Sequence, residues 1–85
     1  MGCRMMNAKQ AVAARIVELC KERGIAVNSL ANTAGMSPST VYSTLNSKSK
    51  NPGIVTIKQI CDGLDISLRT FFDSPLFDDL EQEIK

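Results

Sequence analysis

The fold of this 85-residue chain is constrained most by residues 26–46, which read AVNSLANTAGMSPSTVYSTLN. A glycine at position 35 divides the stretch into two short segments, each with apolar residues at helical spacing. In the second segment Val41 and Leu45 lie one helical turn apart, and hydroxyl side chains occupy most of the other positions. Two short helices joined by a tight glycine turn, the second with a hydroxyl-rich outer face, are typical of a nucleic-acid reader.

Hydrophobic periodicity predicts an all-α domain, because apolar residues recur every three or four positions and no strand-like alternation competes. The start of the third helix has the clearest signal, with Ser37 as N-cap and Pro38 at the first helical position. Ile54 is expected to begin the buried stripe of the fourth helix, and Phe71 and Phe72 are expected to close the core. The predicted helices cover residues 8–23, 27–34, 37–45, 54–64 and 68–72.

Three sections are expected along the chain: a flexible lead-in at residues 1–7, a helical domain at 8–73 and an acidic amphipathic helix at 74–85. The last section repeats the Ser-Pro helix-start signal. It either docks on its own domain or forms a self-association surface, because the five-helix core is expected to be complete before it begins. Its candidate dimer contacts, all apolar and at helical spacing, are Leu76, Phe77, Leu80 and Ile84.

The net charge of +1 conceals a two-ended distribution. Residues 1–58 contain eight basic and two acidic residues, net +6, whereas residues 59–85 contain two basic and seven acidic residues, net −5. No carboxylate lies between Gly24 and Cys61, as expected for a surface that approaches phosphates. On the polar face predicted for the first helix, Arg15 is expected to be able to reach a phosphate.

Several classes of protein are disfavoured by composition. The three cysteines are scattered and the chain has no histidine, so we expect no disulfide framework, no metal site and no cofactor. An enzyme is not expected, since the serines lack a histidine partner and Lys48 and Lys50 fall on a predicted loop. We expect neither a membrane span nor a signal peptide, and therefore a cytoplasmic protein.

Several short motifs at separate places in the chain together match the pattern of one protein family. They are Leu30-Ala31, Gly35-Met36-Ser37, Ser39-Thr40-Val41, Asn51-Pro52, Ile60-Cys61, Leu64-Asp65-Ile66-Ser67-Leu68 and Phe71-Phe72. Together they resemble the lambda-repressor-like helix-turn-helix domains of the Cro/CI (XRE) family over roughly residues 11–72. The resemblance implies a compact five-helix domain, here with a short C-terminal helical extension, whose third helix enters the DNA major groove. It also implies a homodimer that reads two half-sites about one helical turn apart.

The family pattern assigns roles to individual positions. The implied base contacts are Pro38, Ser39, Thr40, Tyr42 and Ser43. The implied phosphate contacts, besides Arg15, are Asn28, Ser29, Lys48, Lys50 and Asn51. One departure bears on specificity: Val27 stands where the family commonly has a glutamine, so a bidentate amide contact to adenine is lacking there. Base preference is then expected to depend on hydroxyls, on apolar contact with thymine methyls, or on DNA shape.

The function predicted from these features is sequence-specific binding of double-stranded DNA by a small homodimeric transcriptional regulator. Repression by occlusion is expected, because the 85 residues leave no room for a separate effector domain. The alternative is a protein-interaction module or an antitoxin-like partner binder that uses the acidic C-terminal half. A steep fall of duplex affinity with salt favours the first reading over the second.

Overall fold

The computed structural model describes residues 7–45 and 52–80 and confirms the predicted all-α fold. Within these residues, no helix combines the length and the apolar character that crossing a bilayer requires. The helices are α1 (Ala8–Arg23), α2 (Val27–Thr33), α3 (Pro38–Leu45), α4 (Ile54–Leu64) and α5 (Leu68–Phe72), followed by a 3₁₀ helix (Pro75–Phe77).

Helix α1 is closed at both ends by local hydrogen bonds. At its start, the Asn7 side chain accepts from the Gln10 amide at 2.8 Å and the Asn7 amide donates to Gln10 Oε1 at 2.9 Å, a reciprocal capping box. At its end, Gly24 adopts a left-handed conformation (φ 65°) and the Ile25 amide donates to the Cys20 carbonyl at 3.0 Å. The glycine stop was predicted, whereas Asn7 is part of the domain rather than of a flexible lead-in.

The core lies among α1, α2, α4 and α5, and Phe71 is its largest fully buried side chain. Burial raises the pKa of the Cys20 and Cys61 thiols, so both remain protonated and act as small apolar groups. The buried side chains of this cluster are Val12, Ile16, Leu19, Cys20, Leu30, Ile57, Ile60, Cys61, Leu64 and Phe71.

Two apolar residues predicted to be buried are exposed. Ile54 retains 59% of its accessible surface, because it occupies the first turn of α4, ahead of the buried stripe that begins at Ile57. Phe72 retains 38%, and its ring lies edge-on to the rings of Phe71 and Phe77, with centroid separations of 5.0 Å to each. The core is therefore closed by Phe71 with help from Phe77, and not by the consecutive pair alone.

The described part of the C-terminal segment packs on its own domain. Phe77 contacts the core cluster, and Leu76 lines a shallow depression of about 640 Å³ along α1. Of the four candidate dimer contacts, Phe77 therefore packs within its own domain, as the docking alternative expected. The segment forms a single 3₁₀ turn and residues 78–80 are not helical. Leu80 is half-buried, and Ile84 lies outside the described residues.

Arg15 does not lie on the exposed face predicted for it. Its side chain is buried, and its Nε and Nη2 groups donate to the carbonyl oxygens of Phe71 and Thr70 at 2.7 and 2.9 Å. Its Nη1 group pairs with Glu18 Oε1 at 2.5 Å. Because the guanidinium satisfies carbonyls in the last turn of α5, it fixes α5 to α1 and is not available to a phosphate. The predicted phosphate contact of Arg15 is thus corrected to a structural one.

Helices α2 and α4 approach closely at one glycine. A Cβ atom placed on Gly63 would lie 2.9 Å from the Ala34 Cβ and 3.1 Å from the Ala34 backbone nitrogen. Only a residue without a side chain fits this crossing, which sets the position of α2 against the rest of the domain.

Candidate nucleic-acid interface

The two helices singled out in the sequence are joined by a compact turn. Gly35 adopts a left-handed conformation (φ 72°), and the Met36 amide donates to the Ala31 carbonyl at 2.9 Å. This hydrogen bond closes residues 31–36 into a Schellman motif at the end of α2. Met36 packs against the core, while Leu30 and Ala31 are fully buried. The turn thus orients α3 across α2 and anchors both to the hydrophobic core.

The start of α3 carries a cluster of hydroxyl groups. Ser37 Oγ lies 2.9 Å from Thr40 Oγ1 and 3.2 Å from Ser39 Oγ, and it accepts from the Thr40 amide at 3.3 Å. The capping role of Ser37 was predicted, but its contacts with the two neighbouring hydroxyls were not. The sequence signal for this cluster is the placement of three hydroxyl residues, Ser37, Ser39 and Thr40, within one turn at the start of the helix. Two of the predicted base-contacting hydroxyls, those of Ser39 and Thr40, therefore take part in local hydrogen bonds.

Helix α3 presents a clear division between its two faces. Val41 is fully buried and Thr44 nearly so, and the Thr44 hydroxyl donates to the Thr40 carbonyl at 3.1 Å. This bond satisfies the hydroxyl of a threonine that lies on the buried side of the helix. The predicted base-contacting residues all lie exposed; they are Pro38, Ser39, Thr40, Tyr42 and Ser43. For Ser39 and Ser43 the exposure follows from their position opposite Val41 on the helix.

Tyr42 and Ser43 differ from the residues at the start of α3. Tyr42 is half-exposed, and neither its hydroxyl nor that of Ser43 hydrogen-bonds to another residue in the described part of the chain. A hydroxyl group can both donate and accept. These two groups are therefore free to bond to base edges in either sense.

The start of α2 lies open to solvent as well. Ala26 occupies the N-cap position without a side-chain hydrogen bond, and Asn28 and Ser29 are exposed. The Ser29 carbonyl accepts from the Thr33 hydroxyl at 3.0 Å, and the Ser29 hydroxyl bonds to no other described residue. The other predicted phosphate contacts, Lys48, Lys50 and Asn51, lie outside the described residues.

The surface formed by α2 and α3 is electrically neutral. In residues 24–45 and 52–57 there is no charged side chain, so neither helix offers a cation or a carboxylate. No group of three or more cysteine or carboxylate side chains that could hold a metal ion is found in the described ranges. The arrangement is suited to hydrogen bonding and close apolar contact, and it presents no negative charge to a polyanion.

Comparison with known proteins gives a family for this arrangement. The model of the Cro/C1-type HTH DNA-binding domain matches residues 15–74. The crystal structure of the prophage Lp1 protein 11 is similar with a TM-score of 0.76 and 35% sequence identity, covering 84% of this chain and 93% of that one. No curated protein sequence matches the chain.

Restriction-modification controller proteins are similar in fold. C.Esp1396I bound to a 19 base pair DNA duplex has a TM-score of 0.72 and 22% identity, covering 87% of this chain and 96% of that one. The wild-type controller protein has a TM-score of 0.71 and 22% identity, with 84% and 90% covered. The family model spans most of the chain, and the prophage protein matches over nearly all of its own length. The chain therefore belongs to the family of Cro/C1-type helix-turn-helix DNA-binding domains.

Proposed function

We propose that this protein is a transcriptional repressor that binds double-stranded DNA as a homodimer in the cytoplasm, with α3 of each copy in a major groove. The observation that carries the proposal is the outward face of α3, where the hydroxyls of Tyr42 and Ser43 bond to no other described residue and those of Ser39 and Thr40 hydrogen-bond to Ser37. The DNA-bound C.Esp1396I shares this fold, which supports the docking of the helix-turn-helix unit on a duplex.

The neutral surface of α2 and α3 suggests how affinity and specificity are divided. Hydroxyl groups hydrogen-bond to base edges but add no counterion release, so they contribute discrimination rather than strong binding. Asn28 and Ser29 are proposed to bond to phosphate oxygens, and Lys48, Lys50 and Asn51 to follow the backbone beyond α3. In this proposal, the lysines hold the DNA and α3 selects the sequence.

Repression by occlusion needs only that the bound protein cover a promoter. Helices α1 to α5 form one unit around a single core, so a bound copy places the whole domain against the duplex. Transcription from a template with the selected site next to a promoter is expected to fall as the protein is added. A template with the site far from the promoter is the control. Increased transcription from the first template would make the protein an activator.

The test of DNA binding itself begins with selection of bound duplexes from a random pool, followed by measurement of affinity by fluorescence anisotropy. Affinity for the selected duplex is expected to fall roughly tenfold or more between about 50 and 200 mM salt, because a protein that neutralises several phosphates releases their counterions. Lys50→Ala is expected to weaken all duplexes alike and to reduce the salt slope by about 1. A flat salt response, or no enrichment of any sequence, would contradict the proposal and favour a protein partner.

A further inference from the structure

The start of α3 links three hydroxyl groups through one oxygen atom. Ser37 Oγ lies 3.2 Å from Ser39 Oγ and 2.9 Å from Thr40 Oγ1. The hydroxyls of Ser39 and Thr40 bond to no other residue within 7–45 and 52–80. Because both lie against the same oxygen, they can be no further apart than the sum of these two distances. We call Ser39 and Thr40 the hydroxyl pair; both residues are exposed, as is Ser37.

The hydrogen atoms of these three groups limit what the hydroxyl pair can offer to a base. A hydroxyl has one hydrogen to donate and two lone pairs with which to accept. Ser37 Oγ already accepts from the Thr40 amide at 3.3 Å, which leaves one lone pair for a hydroxyl donor. Ser37 therefore accepts from one member of the pair and donates to the other. The first member presents only lone pairs outward, whereas the second keeps its hydrogen for an outside acceptor.

One donor beside one acceptor matches the major-groove edge of adenine. Adenine offers N7 as an acceptor and its N6 amino group as a donor, whereas guanine offers two acceptors, N7 and O6. Against guanine, the hydroxyl that donates to Ser37 would face a lone pair, or its bond to Ser37 would have to break. A polar group that loses its partner on desolvation carries a free-energy cost. The hydroxyl pair is therefore suited to adenine and not to guanine.

Two other features of α3 favour an A·T base pair at this position. The helix has no glutamine or asparagine, the side chains that ordinarily offer one donor and one acceptor to adenine, so the task falls to hydroxyl groups. Pro38 is exposed in the same turn as the hydroxyl pair. Thymine, the partner of adenine, carries a methyl group in the major groove, and the apolar proline ring can contact it.

We propose that Ser37 is a positioning residue for base selection: its hydrogen bonds make the hydroxyl pair present one donor and one acceptor, and the pair selects adenine over guanine. The inference rests on the proposed DNA-binding function and names the base that the start of α3 reads. Ser37 acts through its two neighbours and does not itself contact the base.

The experiment compares base preference at one position of the selected duplex. Thr40→Val, which removes one hydroxyl of the pair, identifies that position as the one where the preference of wild type is lost. There, wild type is expected to bind adenine over guanine by about tenfold. Ser37→Gly is expected to narrow this ratio to within about threefold, because glycine is tolerated at an N-cap and both hydroxyls can then donate to guanine. Ser37→Thr keeps the hydroxyl and is expected to keep the preference.

The start of α5 provides a matched control for the loss of a capping hydroxyl. Ser67 Oγ accepts from the Thr70 amide at 3.0 Å and donates to Thr70 Oγ1 at 3.1 Å, which is the same arrangement as that of Ser37 and Thr40. Ser67→Gly is expected to keep the wild-type ratio between adenine and guanine. If Ser37→Gly weakens both duplexes alike and keeps the ratio, Ser37 is only a helix cap and the inference is overturned.

A measurement on wild type alone serves if Ser37→Gly does not fold. Replacing the adenine by 7-deazaadenine removes N7 and keeps base pairing, and affinity is expected to fall by about fivefold or more. Unchanged affinity, or a wild-type preference for any base other than adenine at this position, would overturn the inference. Failure of wild type to enrich any duplex from the random pool would instead reject the proposed function.

Discussion

Two regions of the domain use their polar groups in opposite ways. One is the joint, where Arg15 of α1 contacts α5, and the other is the unit formed by α2 and α3. In the joint, a buried cation gives its donors to two main-chain carbonyls and one carboxylate. In the unit, no residue is charged, and the hydroxyls of Tyr42 and Ser43 bond to no other described residue. In this chain the positive charge of Arg15 is thus used inside the domain, and the proposed reading surface lies on the neutral helix α3.

This division makes the two regions separable by mutation. Changes in the joint are expected to lower the free energy of unfolding without altering base preference. Changes on the outer face of α3 are expected to alter base preference and to leave the free energy of unfolding nearly unchanged. Exposed side chains without protein partners contribute little to stability.

The largest effect is expected for Arg15→Ala. The carbonyls of Thr70 and Phe71 would lose their donors inside the protein, and the free energy of unfolding is expected to fall by roughly 2–4 kcal/mol. Urea denaturation measures the change. Glu18→Ala is the control, since the partner carboxylate is 43% exposed and its loss is expected to cost less than about 1 kcal/mol. Unchanged stability of Arg15→Ala would remove the contrast between the two regions.

Gly63→Ala tests the packing of the unit of α2 and α3 against α4. The added methyl group would overlap the Ala34 Cβ, so α2 must shift against α4, and a net loss of about 1–2 kcal/mol is expected. Thermal unfolding measures it. A double-mutant cycle with Ala34→Gly gives the coupling, which is expected to be favourable but incomplete because the Ala34 backbone also lies at 3.1 Å. Additive effects would show that the crossing is not sterically limited.

Ser43→Ala is expected to relax base preference by about 1 kcal/mol and to leave the free energy of unfolding within roughly 0.5 kcal/mol of wild type. Competition binding against duplexes with single base changes measures the first quantity. Ser67→Ala is the mirror control: its hydroxyl accepts from the Thr70 amide at the start of α5, and its loss is expected to cost about 1 kcal/mol of stability without affecting base preference. Equal weakening of every duplex by Ser43→Ala would argue against base reading.

The smallest effect is expected at the end of α4, where Asp65 occupies a left-handed conformation (φ 58°). Glycine adopts this conformation without steric cost, so Asp65→Gly is expected to stabilise the domain by about 0.5 kcal/mol, the relief of strain being offset partly by a more flexible unfolded chain. Gly24→Ala is the matched opposite and is expected to destabilise, since Gly24 has a similar φ of 65°. A loss of stability in Asp65→Gly would mean that the carboxylate has a role of its own.

The sequence predicted the helices well where it carries local signals. The bounds of α1 and α4 agree with the prediction because Gly24 and the Pro52-Gly53 turn mark them, and the Ser37-Pro38 pair marks the start of α3. The exposure of Ser39 and Ser43 followed from their phase relative to Val41. These features depend on residues only a few positions apart.

What the sequence could not predict depends on contacts between distant residues. The burial of Arg15 requires carbonyls 55 and 56 residues further along the chain, which helical periodicity does not report. Phe77 was misplaced for the same reason, because its partners are Phe71, Phe72 and the core. The prediction that Ile54 is buried was wrong for a different reason. It placed the start of the apolar stripe of α4 at Ile54, one turn before Ile57, where burial begins.

The long reach of Arg15 also bears on how the chain folds as it is made. A five-residue helix such as α5 is not stable alone, and its last carbonyls are held by a side chain that leaves the ribosome some 55 residues earlier. During synthesis, the buried guanidinium has no acceptors until residues 70 and 71 have emerged. The packing of α5 on α1 is therefore expected to be completed only after residues 70 and 71 have emerged.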